Sequence, residues 1–318
     1  MLINDAVWLD TTGQPIQAHG GSLLEDTGRY YWYGENKDGP TVEAFLHRVD
    51  FIGISCYSSS DLNHWTPHGL VLSAAHGDPQ HDLHPSKVGE RPKVLRCPHT
   101  GKYVMWLHID HEDYSFARLG VAVSDSPTGP FVYRGSFQPC GLESRDFTLF
   151  QDGDGSAYLY FSSDWNQTLR VVRLSDDYTA VAEGGALDVF KERAREAPAV
   201  FRQGEHYFML TSGCTGWDPN PAQYAVAPHP LGPWEVQGSP CVGAGAEITF
   251  GVQPTFALPI ALETTLVMFD RWKKEDLRDS RYVWLSASVQ GSTLSLRWQP
   301  TWARPETQGV AQTEARTV

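Results

Sequence analysis

The sequence predicts an all-β protein, a five-bladed β-propeller, and three observations support this prediction. An apolar strand, a turn rich in Gly and Asp, and a second apolar strand form a hairpin pattern that recurs along the chain. Five copies of it start 50 to 71 residues apart, a loose period typical of four-stranded blades. The 318 residues include 29 Gly and 21 Pro, which suits many short strands joined by tight turns.

The five copies begin at residues that we expect to occupy equivalent positions around one axis. These residues are His19, Glu90, Asp146, Glu196 and Gln253. Because the first strand of a blade lines the axis of a propeller, the residue at its head is predicted to point into a central funnel. One such carboxylate could simply cap backbone N–H groups, but three at equivalent positions favour a functional site.

The blades follow one another along the chain, each as a hairpin and a later pair of outer strands. We expect the segment 2–17, before the first blade, to close the ring by adding a strand to the last one. The predicted blades are 19–33 with 51–69, 90–106 with 120–131, 146–161 with 169–178, 196–210 with 225–234, and 253–269 with 283–298. The propeller is predicted to span 1–304, and the polar tail 305–318 is predicted to be disordered.

Two insertions interrupt the repeat, and we expect at least one of them to border the funnel. They are the segments 37–49 and 74–89. The second contains His76, His81 and His84, but their spacing fits no helical pair and turn residues surround them. A solvated loop is therefore favoured over a metal site, and we predict neither a metal nor a cofactor.

Charge and composition exclude several classes of partner. The net charge is −13 with no basic run, which argues against nucleic acid, and no apolar run reaches membrane length. Residues 1–18 lack a signal-peptide pattern, and five scattered cysteines form no CxxC pair. These features predict a reducing, cytoplasmic location, or secretion if a leader has been removed. The sequence carries no indication of the oligomeric state.

The converging carboxylic acids suggest cleavage of a glycosidic bond. That reaction needs an acid on one side of the bond and a base or nucleophile on the other. Crowding and burial raise the pKa of a carboxyl group and keep it protonated near neutral pH. Glu196 is the best candidate for the acid because Ala197 and Pro198 beside it are small and apolar. Asp146 and Glu90 would then hold the acid and the hydroxyls of a carbohydrate substrate.

From Val7 to about Trp302, the chain resembles glycoside hydrolase family 43. This family comprises five-bladed propellers that act as inverting exo-enzymes on arabinan, xylan and galactan. Its ordinary members carry a base Asp at the head of blade one, a pKa-modulating Asp in blade three and an acid Glu in blade four. The resemblance implies the last two roles for Asp146 and Glu196, whereas His19 stands where the base Asp is expected.

The missing Asp makes the chain similar to the exo-β-1,3-galactanase branch of that family. The matching phrases are 19–21, 31–35, 90–94, 195–198 and 215–220. In that branch a Gln is proposed to act as base in its imidic acid form, which implies this role for Gln253. The resemblance further implies a pocket for a terminal galactose, with substrate contacts from Glu35, Glu90, Tyr114 and Asn166, and with Thr215, Trp217 and His19 beside them.

Several alternatives stay open at this point. A neutral amide is a poor base, so a water held by Gln253 and Glu90 together, or Glu90 alone, could serve instead. The sequence predicts an inverting exo-hydrolase that removes galactose from the non-reducing end of β-1,3-galactan. An α-L-arabinofuranosidase or β-xylosidase of the same fold is one alternative, and an inactive sugar-binding propeller is another.

Overall fold

The computed structural model describes residues 1–44 and 46–305, and within them it confirms the five-bladed β-propeller. Four four-stranded antiparallel sheets and one five-stranded sheet follow one another in chain order. The predicted tail falls outside the described residues from 306 onward. No helix in the described part of the chain is long and apolar enough to cross a membrane.

The strands of the first two blades have the following bounds. The chain begins with β1 (Leu2–Ile3), which precedes the blades. Blade one consists of β2 (His19–Asp26), β3 (Arg29–Glu35), β6 (Gly53–Ser59) and β7 (Thr66–Ser73), and the insertion within it forms β4 (Thr41–Val42) and β5 (Arg48–Val49). Blade two consists of β8 (Val88–Arg96), β9 (Tyr103–Asp110), β10 (Arg118–Ser124) and β11 (Val132–Phe137).

The remaining blades repeat the same order. Blade three consists of β12 (Phe147–Gln151), β13 (Ala157–Ser163), β14 (Thr168–Arg173) and β15 (Leu187–Phe190). Blade four consists of β16 (Arg195–Gln203), β17 (His206–Gly213), β18 (Gln223–Ala227) and β19 (Glu235–Gly238). Blade five consists of β21 (Gln253–Ala261), β22 (Thr264–Arg271), β23 (Arg281–Gln290) and β24 (Thr293–Arg297), preceded in the chain by β20 (Cys241–Val242) and followed by β25 (Thr301–Trp302). Short 3₁₀ helices lie at Pro139–Gly141, Ala246–Gly251 and Leu277–Asp279.

The first strands of the five blades surround the axis. β2, β8, β12, β16 and β21 each contact the next one around the ring, and β21 contacts β2 to complete it. The other strands of each blade lie progressively further out. The heads of all five inner strands therefore lie at the same end of the axis.

The ring closes differently from our expectation for segment 2–17. β1 pairs antiparallel with β25 in a separate two-stranded sheet, outside the blades. The extra strand of blade five is β20, which pairs parallel with β24 and so occupies the outer edge of that sheet. The expected addition to the last blade was wrong because Cys241–Val242 already fills the available edge.

Aromatic side chains fill the junction between blades one and five. Trp8, Trp32, Trp65, Trp284 and Trp302 are buried there in one apolar cluster. Several of their rings meet edge to face, including Trp8 and Trp284 with centroids 5.2 Å apart. Large aromatic surfaces contribute strongly to burial, so these contacts stabilise the closed ring.

A shared irregularity shapes the inner strand in three of the blades. In blades one, two and four the register shifts just after the head residue. The next residue then has a positive φ, 58° at Gly20, 54° at Arg91 and 50° at Ala197. A bulge of this kind re-aims side chains and is common next to active sites.

Candidate active site

A pocket of about 730 Å³, including its open mouth, lies at the axial end where the inner strands begin. Of the ten side chains suggested by the sequence, the structure brings eight together in its lining. They are Glu35, Glu90, Tyr114, Asp146, Asn166, Glu196, Trp217 and Gln253. His19 and Thr215 are not part of the lining.

Glu196 stands at the start of β16 and is 8% exposed. Its Oε2 accepts a hydrogen bond from Asn166 Nδ2 at 3.0 Å, and its Oε1 accepts one from Gln253 Nε2 at 3.1 Å. Burial and the negative charge of Asp146 raise the pKa of Glu196 to about 8. The carboxyl group is therefore protonated at neutral pH and can donate a proton.

Asp146 holds the backbone that carries Glu196. Its Oδ2 accepts a hydrogen bond from the backbone N–H of Ala197 at 3.0 Å. Its Oδ1 accepts from Arg91 Nε at 3.0 Å, and Arg91 Nη2 lies 2.9 Å from Oδ2. Asp146 thus both orients the acid and raises its pKa through the negative charge.

Arg91 is at the centre of the site although we did not predict it from the sequence. Besides Asp146, its guanidinium donates to Gln253 Oε1 at 2.6 Å and to the carbonyl of Pro254 at 3.2 Å. Its backbone N–H donates to Glu35 Oε1 at 2.9 Å. One buried side chain therefore connects blade two to blades three and five.

Gln253 has all of its amide groups in hydrogen bonds. Its Oε1 accepts from Arg91 Nη2 and also from Trp272 Nε1 at 2.8 Å. Its Nε2 donates to Glu196 and to Ser212 Oγ at 3.1 Å. Arginine and indole groups can only donate, so these two neighbours fix which end of the amide carries the oxygen. Gln253 is therefore a donor to the acid in this structure.

Glu90 lies on blade two, which is not adjacent to the blade of Glu196. Its Oε1 accepts from the Tyr114 hydroxyl at 3.0 Å, and its Oε2 lies 3.5 Å from His108 Nδ1. Burial favours a higher pKa for Glu90, but the nearby imidazole of His108 and the charge of Lys37 outweigh burial and lower it. His108, which also bonds Asp110, has its pKa raised to about 9 because these acidic partners outweigh its burial. Glu90 is thus an ionised carboxylate.

Glu35 enters the pocket from the end of β3. Lys37 Nζ lies 2.7 Å from Glu35 Oε2, and both side chains are buried. Burial raises the pKa of Glu35 in spite of the lysine. Lys37 Nζ also lies 5.7 Å from the ring centres of Trp217 and Trp272, whose rings meet edge to face. These indoles form an aromatic wall beside the buried ion pair.

The structure corrects the predicted position of His19. Its side chain is fully buried below the pocket, where Nδ1 lies 3.0 Å from Asp270 Oδ1 and the ring stacks on Tyr282. Glu35 occupies the space above, since a Cβ on Gly20 would lie 2.2 Å from Glu35 Oε1. In blade one the second strand, rather than the first, supplies the carboxylate.

Thr215 is also displaced from its predicted place. It is exposed, and its Oγ1 donates to the carbonyl of Asp218 and accepts from Asn220 Nδ2 at 2.7 Å. Its hydroxyl therefore stabilises its own loop rather than the pocket. Among the predicted insertions, the segment 37–49 borders the pocket through Leu46, whereas no residue of 74–89 lines it.

A buried lysine side chain joins the inner strands of blades one and two. Lys93 is 1% exposed, and its Nζ donates to the carbonyls of Gly20 at 2.8 Å and of Gly21 and Arg91 at 3.3 Å each. Burial and the charge of Arg91 lower its pKa to about 7. Within the described residues, no group of three or more His, Cys, Asp or Glu is arranged to hold a metal ion.

The sequence contained only weak signals for the residues that we missed. Arg91 lies inside the phrase that begins at Glu90, but a charge one position after a strand head normally faces outward. His108 lies opposite the head residue Glu90, but the repeat pattern does not show that this position faces the pocket. Arg145 directly precedes the head Asp146, and Trp165 and Trp272 follow the ends of β13 and β22. Only the bulge at Arg91, which the pattern of the repeat does not reveal, turns its guanidinium into the funnel.

Five blades around an axial pocket, with one protonated and one ionised carboxyl group, define a glycoside hydrolase of the propeller class. The model of glycosyl hydrolases family 43 matches residues 16–244. The chain belongs to this family.

Individual relatives and solved structures show which members of the family this chain resembles. A family 43 β-1,3-galactosidase solved with galactodeoxynojirimycin is 36% identical, with a TM-score of 0.87, over 95% of this chain and 100% of that one. The Phanerochaete chrysosporium exo-β-1,3-galactanase solved with galactose is 35% identical, with a TM-score of 0.86, over 95% and 68% of the two chains. A Bacteroides ovatus xylosidase/arabinosidase is 30% identical over 45% of this chain, and the match covers about half of that protein, 55%.

Proposed function

We propose that this protein is an inverting exo-hydrolase that releases galactose from the non-reducing end of β-1,3-galactan or its oligosaccharides. The observation that carries the proposal is the pair Glu196 and Glu90, whose pKa values move in opposite directions within one pocket. Two carboxyl groups with separated pKa values are the usual sign of an acid and a base. The choice of galactose rests on the likeness to β-1,3-galactosidases across 95% of the chain.

Glu196 is the general acid in this proposal. Its protonated carboxyl donates to the oxygen that leaves with the rest of the oligosaccharide. Asp146 and Asn166 orient the carboxyl through the contacts described above. Glu35, Tyr114 and Trp217 line the remainder of the pocket and contact the terminal sugar.

Glu90, rather than Gln253, accepts the proton of the attacking water. An inverting enzyme needs room for a water on the opposite face of the sugar from the acid. Gln253 contacts the acid directly, and both lone pairs of its amide oxygen already accept hydrogen bonds. Its imidic acid form would put a proton on that oxygen and lose one of the two donors. Glu90 is ionised and projects from a non-adjacent blade.

The experiment is proton NMR of β-1,3-galactotriose in the first minutes after enzyme is added. We expect α-galactose and the disaccharide, which would establish activity and inversion together. Release of β-galactose would contradict inversion. No release would contradict the choice of substrate, and p-nitrophenyl arabinosides and xylosides would then test the two alternative specificities.

Those alternatives have one specific observation in their favour. The relative from Bacteroides ovatus is a xylosidase/arabinosidase. An inactive sugar-binding propeller is less well supported, because the protonated Glu196 would have no purpose in simple binding. A cytoplasmic location remains a prediction, and fractionation of cells that express the native gene would test it.

A further inference from the structure

Trp165 is a large aromatic side chain at the mouth of the pocket, and the reaction proposed above gives it no role. It is 54% exposed, yet it lines the same pocket as Glu196 and Asn166. A single exposed hydrophobic residue is normal on a protein surface. Trp165 differs from such a residue because its ring and its backbone are both held in place.

The indole ring is held by Arg145. The Arg145 guanidinium carbon lies 4.0 Å from the ring centre, a cation–π contact. Arg145 is itself fixed by hydrogen bonds to Glu143 Oε2 and to the carbonyl of Tyr114, both at 2.9 Å. The same Glu143 oxygen accepts the backbone N–H of Trp165 at 3.0 Å. The ring is therefore supported from one side and open on the other.

The backbone at Trp165 adopts a conformation that side chains rarely permit. Asp164, Trp165 and Asn166 have φ values of 53°, 52° and 62° in the turn between β13 and β14. Positive φ is uncommon for one residue other than glycine and more so for three in succession, and such strain often accompanies function. This turn sends the Asn166 amide to Glu196 and places the neighbouring indole at the mouth.

The position of the acid determines which part of the substrate meets this ring. Glu196 must lie beside the oxygen that leaves, so the leaving sugar lies on the acid's side of the pocket and toward its mouth. We infer that Trp165 is the stacking platform for this leaving sugar. This inference rests on the proposed exo-hydrolase function.

The platform favours a particular kind of leaving group. In galactopyranose the hydrogens on C3, C4 and C5 point to one side and form an apolar face that packs on an aromatic plane. A pyranose with this face is therefore preferred over a leaving group without a ring. Trp165 would act as a specificity residue, not as part of the proton transfer.

Two substrates distinguish a role in binding the leaving sugar from a part in the proton transfer. β-1,3-Galactobiose presents a leaving sugar, whereas β-D-galactosyl fluoride presents only a fluoride ion. In Trp165→Ala we expect kcat/KM for galactobiose to fall about tenfold, mainly through KM, the loss expected for one aromatic contact. The rate on galactosyl fluoride should stay within about twofold, because that substrate never reaches the indole. Trp165→Phe should recover most of the loss on galactobiose.

Trp298 provides a matched control outside the pocket. It is 36% exposed, and the guanidinium of Arg271 lies 5.3 Å from its ring centre. Trp298→Ala should leave kcat/KM unchanged on both substrates. An equal loss on both substrates in Trp165→Ala, or no loss on either, would overturn the inference. If the wild-type protein cleaves neither substrate, the proposed function fails instead.

Discussion

His19 and Glu196 occupy the same position in the repeat but have opposite environments. Each heads the inner strand of its blade, and each precedes a residue of positive φ and a register shift. His19 is fully buried and bound to Asp270, whereas Glu196 opens into the pocket with a raised pKa. The repeat therefore determines the backbone, and the neighbouring side chains determine which head residues are available for chemistry.

The two head residues differ in the side chain that lies opposite each of them on the second strand of the blade. Blade one has Glu35 at the end of β3, and this carboxylate takes the place above His19. In blade four the residue opposite Glu196 is Ser212, which bonds Gln253 and leaves the head carboxyl in the pocket. The smaller residue thus gives Glu196 access to a substrate.

The largest expected effect concerns Glu196, the one of these two head residues that lies in the pocket. Glu196→Gln should lower kcat/KM on β-1,3-galactobiose by about 10³- to 10⁴-fold, because general acid catalysis is lost for a poor leaving group. Its activity on β-galactosyl fluoride should fall far less, since fluoride leaves without a proton. Glu205→Gln, at the exposed turn of the same hairpin, is the control and should match the wild type. A near-normal rate of Glu196→Gln on galactobiose would exclude this residue as the acid.

A second pair of variants separates the base from the group that holds the acid. Glu90→Gln should lose about 10²-fold or more on both galactobiose and galactosyl fluoride, because both reactions need an activated water. Gln253→Ala should lose mainly on galactobiose, since Gln253 contacts the acid. Steady-state kinetics on the two substrates measures this difference. If Gln253→Ala is severe on both and Glu90→Gln is mild, the base is Gln253.

Substitution of Arg91 tests whether the centre of the site needs a planar, forked cation. Arg91→Lys keeps the charge but cannot bond Asp146, Gln253 and the Pro254 carbonyl together. We expect a loss of kcat/KM on galactobiose of about 100-fold, as misplaced catalytic groups produce. The control is Arg202→Lys, because Arg202 pairs with Asp152 at the surface, 3.1 Å apart. Equal activities of the two variants would contradict a central role for Arg91.

The pH dependence should reflect the raised pKa of Glu196. The acid is active when protonated, so kcat/KM should fall about tenfold per pH unit above a midpoint near pH 8. Glu90 is active when ionised and its pKa is lowered, so the acidic limb should lie below 4.5, the ordinary value. Glu196→Gln, assayed with galactosyl fluoride, should lack the alkaline limb. An alkaline midpoint that persists in this variant would assign it to another group.

The sequence was sufficient to predict the propeller because its signals are local and repeated. Hairpins such as β16 and β17 arise from two short apolar runs around a Gly-containing turn, and the structure pairs them as expected, with Gln203 opposite His206. Head residues that enter the funnel could also be inferred from the repeat. This applies to Glu90, Asp146, Glu196 and Gln253.

The rest of the site depends on contacts between blades, which no local pattern contains. Arg91 reaches groups that are 55 to 163 residues away in the chain. The burial of His19 depends on Asp270 and Tyr282, which lie 251 and 263 residues away. Such contacts become visible only once the ring is closed. This explains why the head of blade one was placed in the wrong environment.

The smallest expected effect on activity concerns His19, the buried head residue that we compared with Glu196. His19→Ala should lower the free energy of unfolding by about 2–4 kcal/mol, since it leaves a cavity and removes a partner of the buried Asp270 carboxylate. His19→Asn keeps a donor near Asp270 and should recover part of this loss. Both variants should retain kcat/KM on galactobiose within about threefold, because a residue below the pocket removes no transition-state contact. Denaturant unfolding and kinetics measure the two quantities on the same samples. A hundredfold loss of activity at unchanged stability would instead place His19 in substrate binding and show that equivalent repeat positions have equivalent roles.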